Sequence, residues 1–341
     1  MTRRAVVLFN LGGPDGPEAV EPFLFNLFND PAIIEAPGFV RWPLAKLISR
    51  RRAPVARAIY GRIGDRSPIL PETEAQARAL EAALGDGSRV FIAMRYWRPR
   101  AEEAARAVKA FGPEEIVLLP LYPQYSGTTV GSSLKDWTQA ADAVGLTAPS
   151  RAVCCWPTER EFIEAQAELI LPLLAEAAKA GAPKLLFSAH GLPKRTVARG
   201  DPYQWQTERT AEATAAELAR RLGSAVDWTL CYQSRVGPLE WIGPATDAEI
   251  ERAARAGRPI VVAPIAFVSE HSETLVELDM EYRELAEKAG APAYLRAPAV
   301  GVNAGFIAGL ARLVAEARSP IGSSAGGRIC PAAHGRCPLA A

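Results

Sequence analysis

The sequence predicts an α/β protein made of two similar halves, each a parallel sheet covered by helices. Short apolar runs alternate with longer helical patterns along the 341 residues, which is typical of parallel sheets flanked by helices. A chain of this length can form two domains, each with its own core. Residues 116–121 resemble residues 260–265, and residues 8–10 resemble residues 186–188, so we expect one half to repeat the other.

The predicted elements follow from the spacing of apolar residues. Strands are predicted where short apolar runs end at glycine, proline or polar residues, namely at 5–11, 90–95, 116–121, 184–188, 226–231, 260–267 and 293–296. Helices are predicted where apolar residues recur every three or four positions, namely at 73–84, 102–110, 159–180, 206–222, 247–256, 272–289 and 303–317. The predicted domains are 1–170, 171–318 and a polar, cysteine-containing tail at 319–341. The final helix is expected either to stay with the second half or to pack back on the first.

Composition places the chain among globular proteins and excludes several function classes. Apolar residues make up 49% and charged residues 23%, as in ordinary folded domains. The formal net charge of +1 gives no electrostatic reason to expect nucleic acid. Apolar runs stay well short of the ~20 residues that a membrane helix needs, and the first residues read as a strand rather than a signal peptide. A cytoplasmic protein is therefore expected.

An acidic ladder follows the predicted strand at 260–267. Glu273, Glu277 and Glu281 are four residues apart, so on a helix they share one face. Like charges at that spacing repel by roughly 0.2–0.5 kcal/mol a pair. Since the ladder opens beside His271 at a strand end, it indicates proton or cation handling. The alternative is an ordinary solvated helix face.

A second histidine follows the predicted strand at 184–188. His190 lies in the sequence Ser-Ala-His-Gly-Leu-Pro, where glycine and proline favour a turn that projects the ring from the sheet edge. Ligands of such folds bind at the carboxyl ends of the strands, so His190 and the acidic ladder are expected to meet. One imidazole with one carboxylate would hold a cation loosely, which suits a metal in transit. The alternative is a structural histidine.

Two further features bear on the ligand. The chain has no Gly-x-Gly-x-x-Gly opening a helix and no Walker-type loop, so no nucleotide cofactor is expected. The segment 20–52 is rich in apolar residues and ends in three arginines. It suits a lip for a large, flat ligand that bears carboxylates, or a surface that touches a membrane. An ordinary helical hairpin with a basic end is the alternative.

Eight blocks of the sequence together resemble ferrochelatases in order and spacing, over about residues 5 to 300. The blocks are LFNLGGPDGPEAVEPFLFNLFNDPAII, GRIGDRSPILPETE, AMRYWRP, LLPLYPQYSGTTVGSS, LLFSAHGLP, RGDPY, CYQSRVGPLEWIGP and PIAFVSEHSETLVELDMEY. The resemblance implies insertion of ferrous iron into protoporphyrin IX with release of two protons, the last step of haem synthesis. It also implies a metal-chelating lyase made of two Rossmann-like, chelatase-type domains, with the active-site cleft between them.

The resemblance assigns roles to individual residues. His190 matches the family's active-site histidine and Glu273 the glutamate that faces it across the porphyrin, so both are expected at the metal. Glu277 and Glu281 match an acidic line that leads away from Glu273 and relays protons or hydrated cations. His271 takes a supporting role. Porphyrin-contacting positions are matched by Leu11, Arg51, Arg52, Tyr60, Ser67, Arg95, Tyr96, Tyr122 and Tyr125.

The expected partners and cofactors also follow from the resemblance. The substrates are protoporphyrin IX and ferrous iron, and peripheral contact at the inner face of the membrane and transient contact with the preceding porphyrin-producing enzyme are further expectations. Some family members hold a 2Fe-2S cluster, for which Cys154, Cys155, Cys330 and Cys337 are the candidate ligands. Unligated thiols are the alternative. Other functions left open are a chelatase for coproporphyrin III or a cobalt-accepting ring, and a haem or porphyrin carrier without catalysis.

Overall fold

The protein is described from a computed structural model that covers residues 2–234 and 239–340. The chain forms two compact units. Unit 1 comprises Met1–Cys155 and Leu310–Arg328, and unit 2 comprises Trp156–Gly309 and Ile329–Ala341. The division falls at Cys155, whereas the sequence placed it at residue 170, and the last residues are shared between the units instead of forming a separate tail. The segment 235–238, which belongs to one of the quoted blocks, lies outside the described residues.

Nine strands form among the described residues. They are β1 (Arg4–Asn10), β2 (Ser88–Met94), β3 (Glu115–Pro120), β4 (Ser150–Cys155), β5 (Lys184–His190), β6 (Trp228–Gln233), β7 (Ile260–Pro264), β8 (Tyr294–Arg296) and β9 (Ile321–Ser323). The seven predicted strands are all present. β4 and β9 were not predicted.

Eleven α-helices lie between these strands in the described part of the chain. They are α1 (Val20–Phe28), α2 (Gly38–Gly61), α3 (Ile69–Leu84), α4 (Ala101–Phe111), α5 (Val130–Ala143), α6 (Arg160–Ala177), α7 (Lys194–Ala198), α8 (Tyr203–Leu222), α9 (Thr246–Arg255), α10 (Tyr282–Lys288) and α11 (Ala304–Glu316). Short 3₁₀ turns cover Pro17–Ala19 and Ala178–Ala180, and a π-helix covers Glu273–Glu281.

The two sheets are parallel and share one strand order. The sheet of unit 1 has the order β2-β1-β3-β4-β9, and the sheet of unit 2 has the order β6-β5-β7-β8. The internal resemblance read from the sequence therefore pairs equivalent strands, because it relates β1 to β5 and β3 to β7. The predicted fold class of two helix-flanked parallel sheets is confirmed.

Continuous apolar runs form the central strands because helices cover both faces of each sheet. Every residue from Ala5 to Phe9 of β1 is at most 1% exposed, and Ile260 to Ala263 of β7 are fully buried. A run without polar alternation is the expected pattern for a strand of this kind. Each unit therefore builds its own core around a central strand, and its polar groups gather where the strands end.

One predicted helix has a different geometry from the one expected. Residues 272–289 were predicted as one α-helix, but Glu273–Glu281 form a π-helix that continues into α10. A π-helix closes its hydrogen bonds between residues five apart, so residues four apart lie slightly less than one turn away from each other. Glu273 and Glu277 therefore still lie near one another, and π-helical turns are frequent at functional sites.

Candidate active site

The candidate site lies at the carboxyl edge of the sheet of unit 2. His190 is the last residue of β5, Gln233 the last of β6 and Pro264 the last of β7. The strand order reverses between β5 and β7, since β6 lies on one side of β5 and β7 on the other. Parallel sheets bind ligands in the crevice at such a reversal. The π-helix that begins at Glu273 faces this edge.

The His190 ring is oriented by its own turn. Its Nδ1 lies 2.7 Å from the Gly191 carbonyl oxygen, and because a carbonyl only accepts hydrogen bonds, Nδ1 carries the proton. Nε2 of the neutral ring then presents a lone pair, and it lies 3.8 Å from Glu273 Oε1. The His190 side chain is 37% exposed, so it remains open to a ligand.

The Glu273 carboxylate lies between two histidines. Oε1 faces His190, and Oε2 lies 3.8 Å from His271 Nε2 and accepts a hydrogen bond of 3.4 Å from the Gln233 side-chain amide. Burial raises the pKa of this carboxyl, but when His190 is protonated its charge, followed by His271 and the Gln233 amide, outweighs burial and lowers the pKa well below its usual value. Glu273 is therefore ionised when its histidine neighbour carries a positive charge.

Glu277 has the opposite electrostatic environment. Its carboxylate accepts hydrogen bonds from the backbone N–H of Ser234 at 3.0 Å, from the Ser234 hydroxyl at 2.5 Å and from the Tyr282 hydroxyl at 3.1 Å. Burial, followed by the negative charge of Glu273, nevertheless raises its pKa. Glu281, the last residue of the π-helix, is exposed. The acidic residues thus run from a half-buried start to an exposed end.

His271 is packed rather than presented to a ligand. Its side chain is 7% exposed, and its ring centroid lies 4.3 Å from that of Phe267. Neither ring nitrogen has a hydrogen-bond partner among residues 2–234 and 239–340. Its position beside Glu273 agrees with the supporting role expected from the sequence.

An open, mostly polar cavity of about 590 Å³ adjoins this site. Gln233, Ser234, Trp241, Glu277 and Tyr282 are among the residues that line it. Gln233, which donates a hydrogen bond to Glu273, and Glu277, which lies on the same π-helix as Glu273, therefore also line the cavity.

Several predicted porphyrin-contacting residues lie together in unit 1. Leu11, Tyr60 and Tyr96 belong to one apolar cluster with α1, and the Arg52 guanidinium lies 5.8 Å from the centroid of the Phe28 ring of the same cluster. Arg51, one residue earlier on α2, is exposed. The structure therefore brings Leu11, Tyr60 and Tyr96 into contact with one packed surface.

Arg95 and Tyr96 share one buried carboxylate that the sequence analysis did not single out. Asp30 Oδ2 lies 2.8 Å from Arg95 Nη2 and accepts hydrogen bonds from the hydroxyls of Tyr96 at 2.9 Å and Ser132 at 2.5 Å. Asp30 is 3% exposed, and Arg95 also donates to Ser132 and approaches Asp136 at 3.6 Å. Burial, followed by the charge of Asp30, raises the pKa of Tyr96.

The remaining predicted contacts are buried to different degrees. Ser67 lies against Gly13, where a Cβ atom would come within 2.5 Å of the Ser67 side chain, so the turn after β1 requires glycine at this position. Tyr125 is 8% exposed. Tyr122 packs against the core of unit 1, and burial raises the pKa of its hydroxyl. The sequence resemblance predicted that these residues contact a ligand, but it did not predict how exposed each side chain is.

The cysteines proposed as cluster ligands are all buried thiols. Cys154 and Cys155 end β4, and their Sγ atoms are 3.6 Å apart. Cys330 accepts a hydrogen bond of 3.1 Å from the Gln206 amide, and Cys337 is 5% exposed. Within the described part of the chain, no three His, Cys, Asp or Glu side chains form a metal-ligating group.

Comparison with known proteins identifies the class and then the family. The fold is similar to that of the sirohydrochlorin chelatase SirB from Bacillus subtilis subspecies spizizenii, solved in complex with cobalt, at 12% identity and a TM-score of 0.54 over 92% of this chain and 95% of the other. The two sheets and their helices thus form a chelatase-type fold. The family model described as Ferrochelatase matches residues 3–318. The chain belongs to the ferrochelatase family.

Individual relatives agree with this assignment. A ferrochelatase of Phenylobacterium zucineum (strain HLK1) is 58% identical over 98% of this chain and 97% of its own length. A ferrochelatase of Caulobacter vibrioides (strain NA1000 / CB15N) is 55% identical over 99% of this chain and 98% of its own length. The resemblance drawn from the eight blocks, and the enzyme class it implied, a metal-chelating lyase, are confirmed.

Around the pair of His190 and Glu273, sequence reasoning missed Gln233, Ser234 and Tyr282. Gln233 and Ser234 stand in the quoted block CYQSRVGPLEWIGP, yet nothing in an amide or a hydroxyl distinguishes them before their carboxylate partners are known. Tyr282 lies one residue beyond the acidic ladder and binds Glu277. The available signal was that the block follows a predicted strand at the same sheet edge as His190.

Proposed function

We propose that this protein inserts ferrous iron into protoporphyrin IX and releases two protons, forming protohaem. The observation that carries the proposal is the pair of His190 and Glu273 at the strand-order reversal, with Nε2 of one side chain 3.8 Å from Oε1 of the other. The pair offers a base for a pyrrole N–H and an anionic oxygen for a divalent ion. Membership of the ferrochelatase family supports the same reaction.

His190 acts as the base for the two pyrrole protons in turn, and it passes the first to the carboxylates of the π-helix before it takes up the second. The Gly191 carbonyl holds the proton on Nδ1, so the lone pair of Nε2 accepts the proton that leaves the pyrrole nitrogen. The imidazolium that forms is stabilised by the Glu273 carboxylate, and its positive charge in turn lowers the pKa of that carboxyl. One imidazole and one carboxylate also suit a metal that passes through the site and is not retained there.

Glu277 and Glu281 carry protons or hydrated cations away from the reacting centre. Two neighbouring carboxyl groups whose environments push their pKa values apart are suited to different roles. The pKa of Glu273 is lowered and that of Glu277 is raised, so Glu277 is the more readily protonated of the two. Glu281 at the exposed end of the π-helix completes the path to solvent.

The porphyrin contacts stay predictions that rest on the resemblance. Leu11, Tyr60 and Tyr96 offer an apolar and aromatic wall, and Arg51 and Arg52 offer exposed cations for propionate groups. The energy of such contacts can be used to distort the macrocycle, at a cost of about 1–5 kcal/mol, and so expose its nitrogens.

A surface of α2 supports peripheral contact with a membrane. Phe39 is 82% exposed and Trp42 55% exposed, and basic residues follow at 50–52 on the same helix. Exposed aromatic residues beside cations suit the boundary of an anionic bilayer. No helix among the described residues is both long and apolar enough to cross a membrane. Transient contact with the enzyme that supplies the porphyrin also stays a prediction.

A 2Fe-2S cluster stays a prediction as well. Such a cluster needs four ligands, and the described thiols do not form a ligand group as they are arranged. No step of the proposed reaction therefore depends on it. Visible absorption of anaerobically purified protein would show cluster bands that disappear in Cys330→Ser if Cys330 is a ligand.

The proposed function is tested by anaerobic incubation of the protein with ferrous iron and each of several porphyrins. We expect turnover with protoporphyrin IX, followed by the change in visible absorption on metallation. Turnover of coproporphyrin III without turnover of protoporphyrin IX would favour a related chelatase. Tight porphyrin binding without metallation of any ring would favour a carrier.

A further inference from the structure

A chain of three buried polar side chains ends on the Glu273 carboxylate. The Thr246 hydroxyl lies 3.1 Å from the Ser188 hydroxyl, which is 2.7 Å from Gln233 Oε1. Gln233 Nε2 in turn lies 3.4 Å from Glu273 Oε2. Thr246 and Ser188 are fully buried and Gln233 is 1% exposed, so solvent does not compete for the two hydrogen bonds that join these three side chains.

The direction of each hydrogen bond in this chain follows from the acceptor at its end. The Glu273 carboxylate only accepts, so the amide nitrogen of Gln233 must face it, and the amide oxygen must face Ser188. Ser188 has one proton, which it donates to that oxygen. Thr246 must therefore donate to Ser188. All three donors point toward Glu273, and hydrogen bonds in such a chain polarise one another.

The strand register accounts for this arrangement. Side chains alternate along a strand, so Ser188 and His190 of β5 lie on one face of the sheet. Ser188 pairs with Cys231 and His190 with Gln233 on β6, which places Gln233 on that same face. Thr246 is the first residue of α9, which packs on this face. On this face of the sheet, β5 presents the apolar residue Leu186 first and then the polar residues Ser188 and His190.

Gln233 also supports the other member of the catalytic pair. Its backbone carbonyl accepts a hydrogen bond of 3.0 Å from the Gly191 N–H, and the Gly191 carbonyl in turn binds His190 Nδ1. One residue therefore fixes the turn that orients His190 and, through its amide, the rotamer of Glu273. A flipped amide would place its oxygen against the carboxylate.

We propose that Ser188 and Thr246 are positioning residues that lock the Gln233 amide in the orientation that holds Glu273 opposite His190. The inference rests on the proposed roles of His190 and Glu273. Ser188 and Thr246 act only through Gln233, and they do not touch the substrate. Loss of either hydroxyl lets the amide rotate and releases the carboxylate from its place.

The test compares variants that remove a hydroxyl with variants that keep it. Ser188→Ala and Thr246→Val remove the donors, whereas Ser188→Thr and Thr246→Ser keep them. Metallation kinetics should show kcat lower by about tenfold in the first pair, with the KM for porphyrin unchanged, because one hydrogen bond to a charged group is weakened. The hydroxyl-keeping variants should stay close to the parent.

A second readout does not depend on activity. The side-chain amide resonances of Gln233 can be assigned because they are absent in Gln233→Leu. The protons that give these resonances should exchange slowly with solvent in the parent and in Thr246→Ser, and quickly in Ser188→Ala. If the parent metallates no porphyrin, the proposed function fails, and these resonances still decide whether the amide is locked. Parent-like kcat and resonances in Ser188→Ala would overturn the inference. Equal losses in Thr246→Val and Thr246→Ser would also overturn it, because they would point to packing.

Discussion

Asp30 is predicted to stabilise unit 1 by neutralising a buried arginine. The variant Asp30→Asn keeps the volume of the side chain but removes its charge, and it leaves Arg95, which is 13% exposed, without its nearest carboxylate. Removal of one partner of a buried ion pair costs about 3–5 kcal/mol. Asp136, 3.6 Å from Arg95 Nη1, still offsets part of the charge, so we expect a loss near the lower limit, about 3 kcal/mol.

The loss is measured by urea unfolding of the parent and the variant, followed by tryptophan fluorescence and by circular dichroism. Glu102→Gln is the matched control, because it breaks an ion pair with Arg106 in which both side chains are more than half exposed. An exposed pair of this kind contributes less than about 0.5 kcal/mol. If Asp30→Asn unfolds at the same urea concentration as Glu102→Gln, the Asp30 cluster does not stabilise the unit as argued.

Three further predictions concern other parts of the chain. The pKa of Glu217 is lowered from 4.5 to about 2, chiefly by a hydrogen bond from Arg220. The free energy of unfolding of the parent should therefore fall relative to that of Glu217→Gln as the pH falls from 4.5 to 2. An equal dependence of the two unfolding free energies on pH would contradict this prediction. Gly13→Ala should cost about 1–3 kcal/mol in urea unfolding and Gly16→Ala much less, since a Cβ atom clashes only at the first position. Trp42→Ser should weaken sedimentation with anionic vesicles, and Val302→Ser, at a similarly exposed position on unit 2, should not.

The strands that the sequence predicted are those whose signal is local. β1 and β7 are continuous apolar runs because both faces of their sheets are covered, and such runs are visible without any partner. β9 is only three residues long, and its strand character comes from pairing with β4, far away in the chain. β4 itself opens with polar residues and ends in two cysteines, so it lacks the continuous apolar run by which the central strands were predicted.

Two helical features could also not be predicted from local sequence. α2 continues through Pro43 and Pro54, whereas proline in a helix interior ordinarily breaks the pattern, so the sequence indicated only an apolar lip or a helical hairpin. The spacing of Glu273 and Glu277 fits an α-helix as well as a π-helix, and the choice between them depends on backbone hydrogen bonds that no side-chain pattern records.

The sequence predicted those residues of the candidate site whose side-chain type by itself indicates their chemistry. His190 and Glu273 stand out because imidazole and carboxylate groups can take protons and bind cations at neutral pH. Gln233 and Asp30 could not be found in this way. The function of Gln233 depends on facing a carboxylate, and that of Asp30 on facing a buried arginine, and both pairings arise only from the fold.

The most direct test of the account is anaerobic insertion of ferrous iron into protoporphyrin IX by the parent, His190→Ala and His334→Ala. General-base catalysis by His190 predicts that His190→Ala lowers kcat by about 10²–10⁴-fold while porphyrin binding, followed by fluorescence, persists. The His334 ring lies 6.0 Å from that of Trp205 and has no role in the proposed reaction, so His334→Ala should stay near the parent. Metallation by His190→Ala within about threefold of the parent would contradict the central claim.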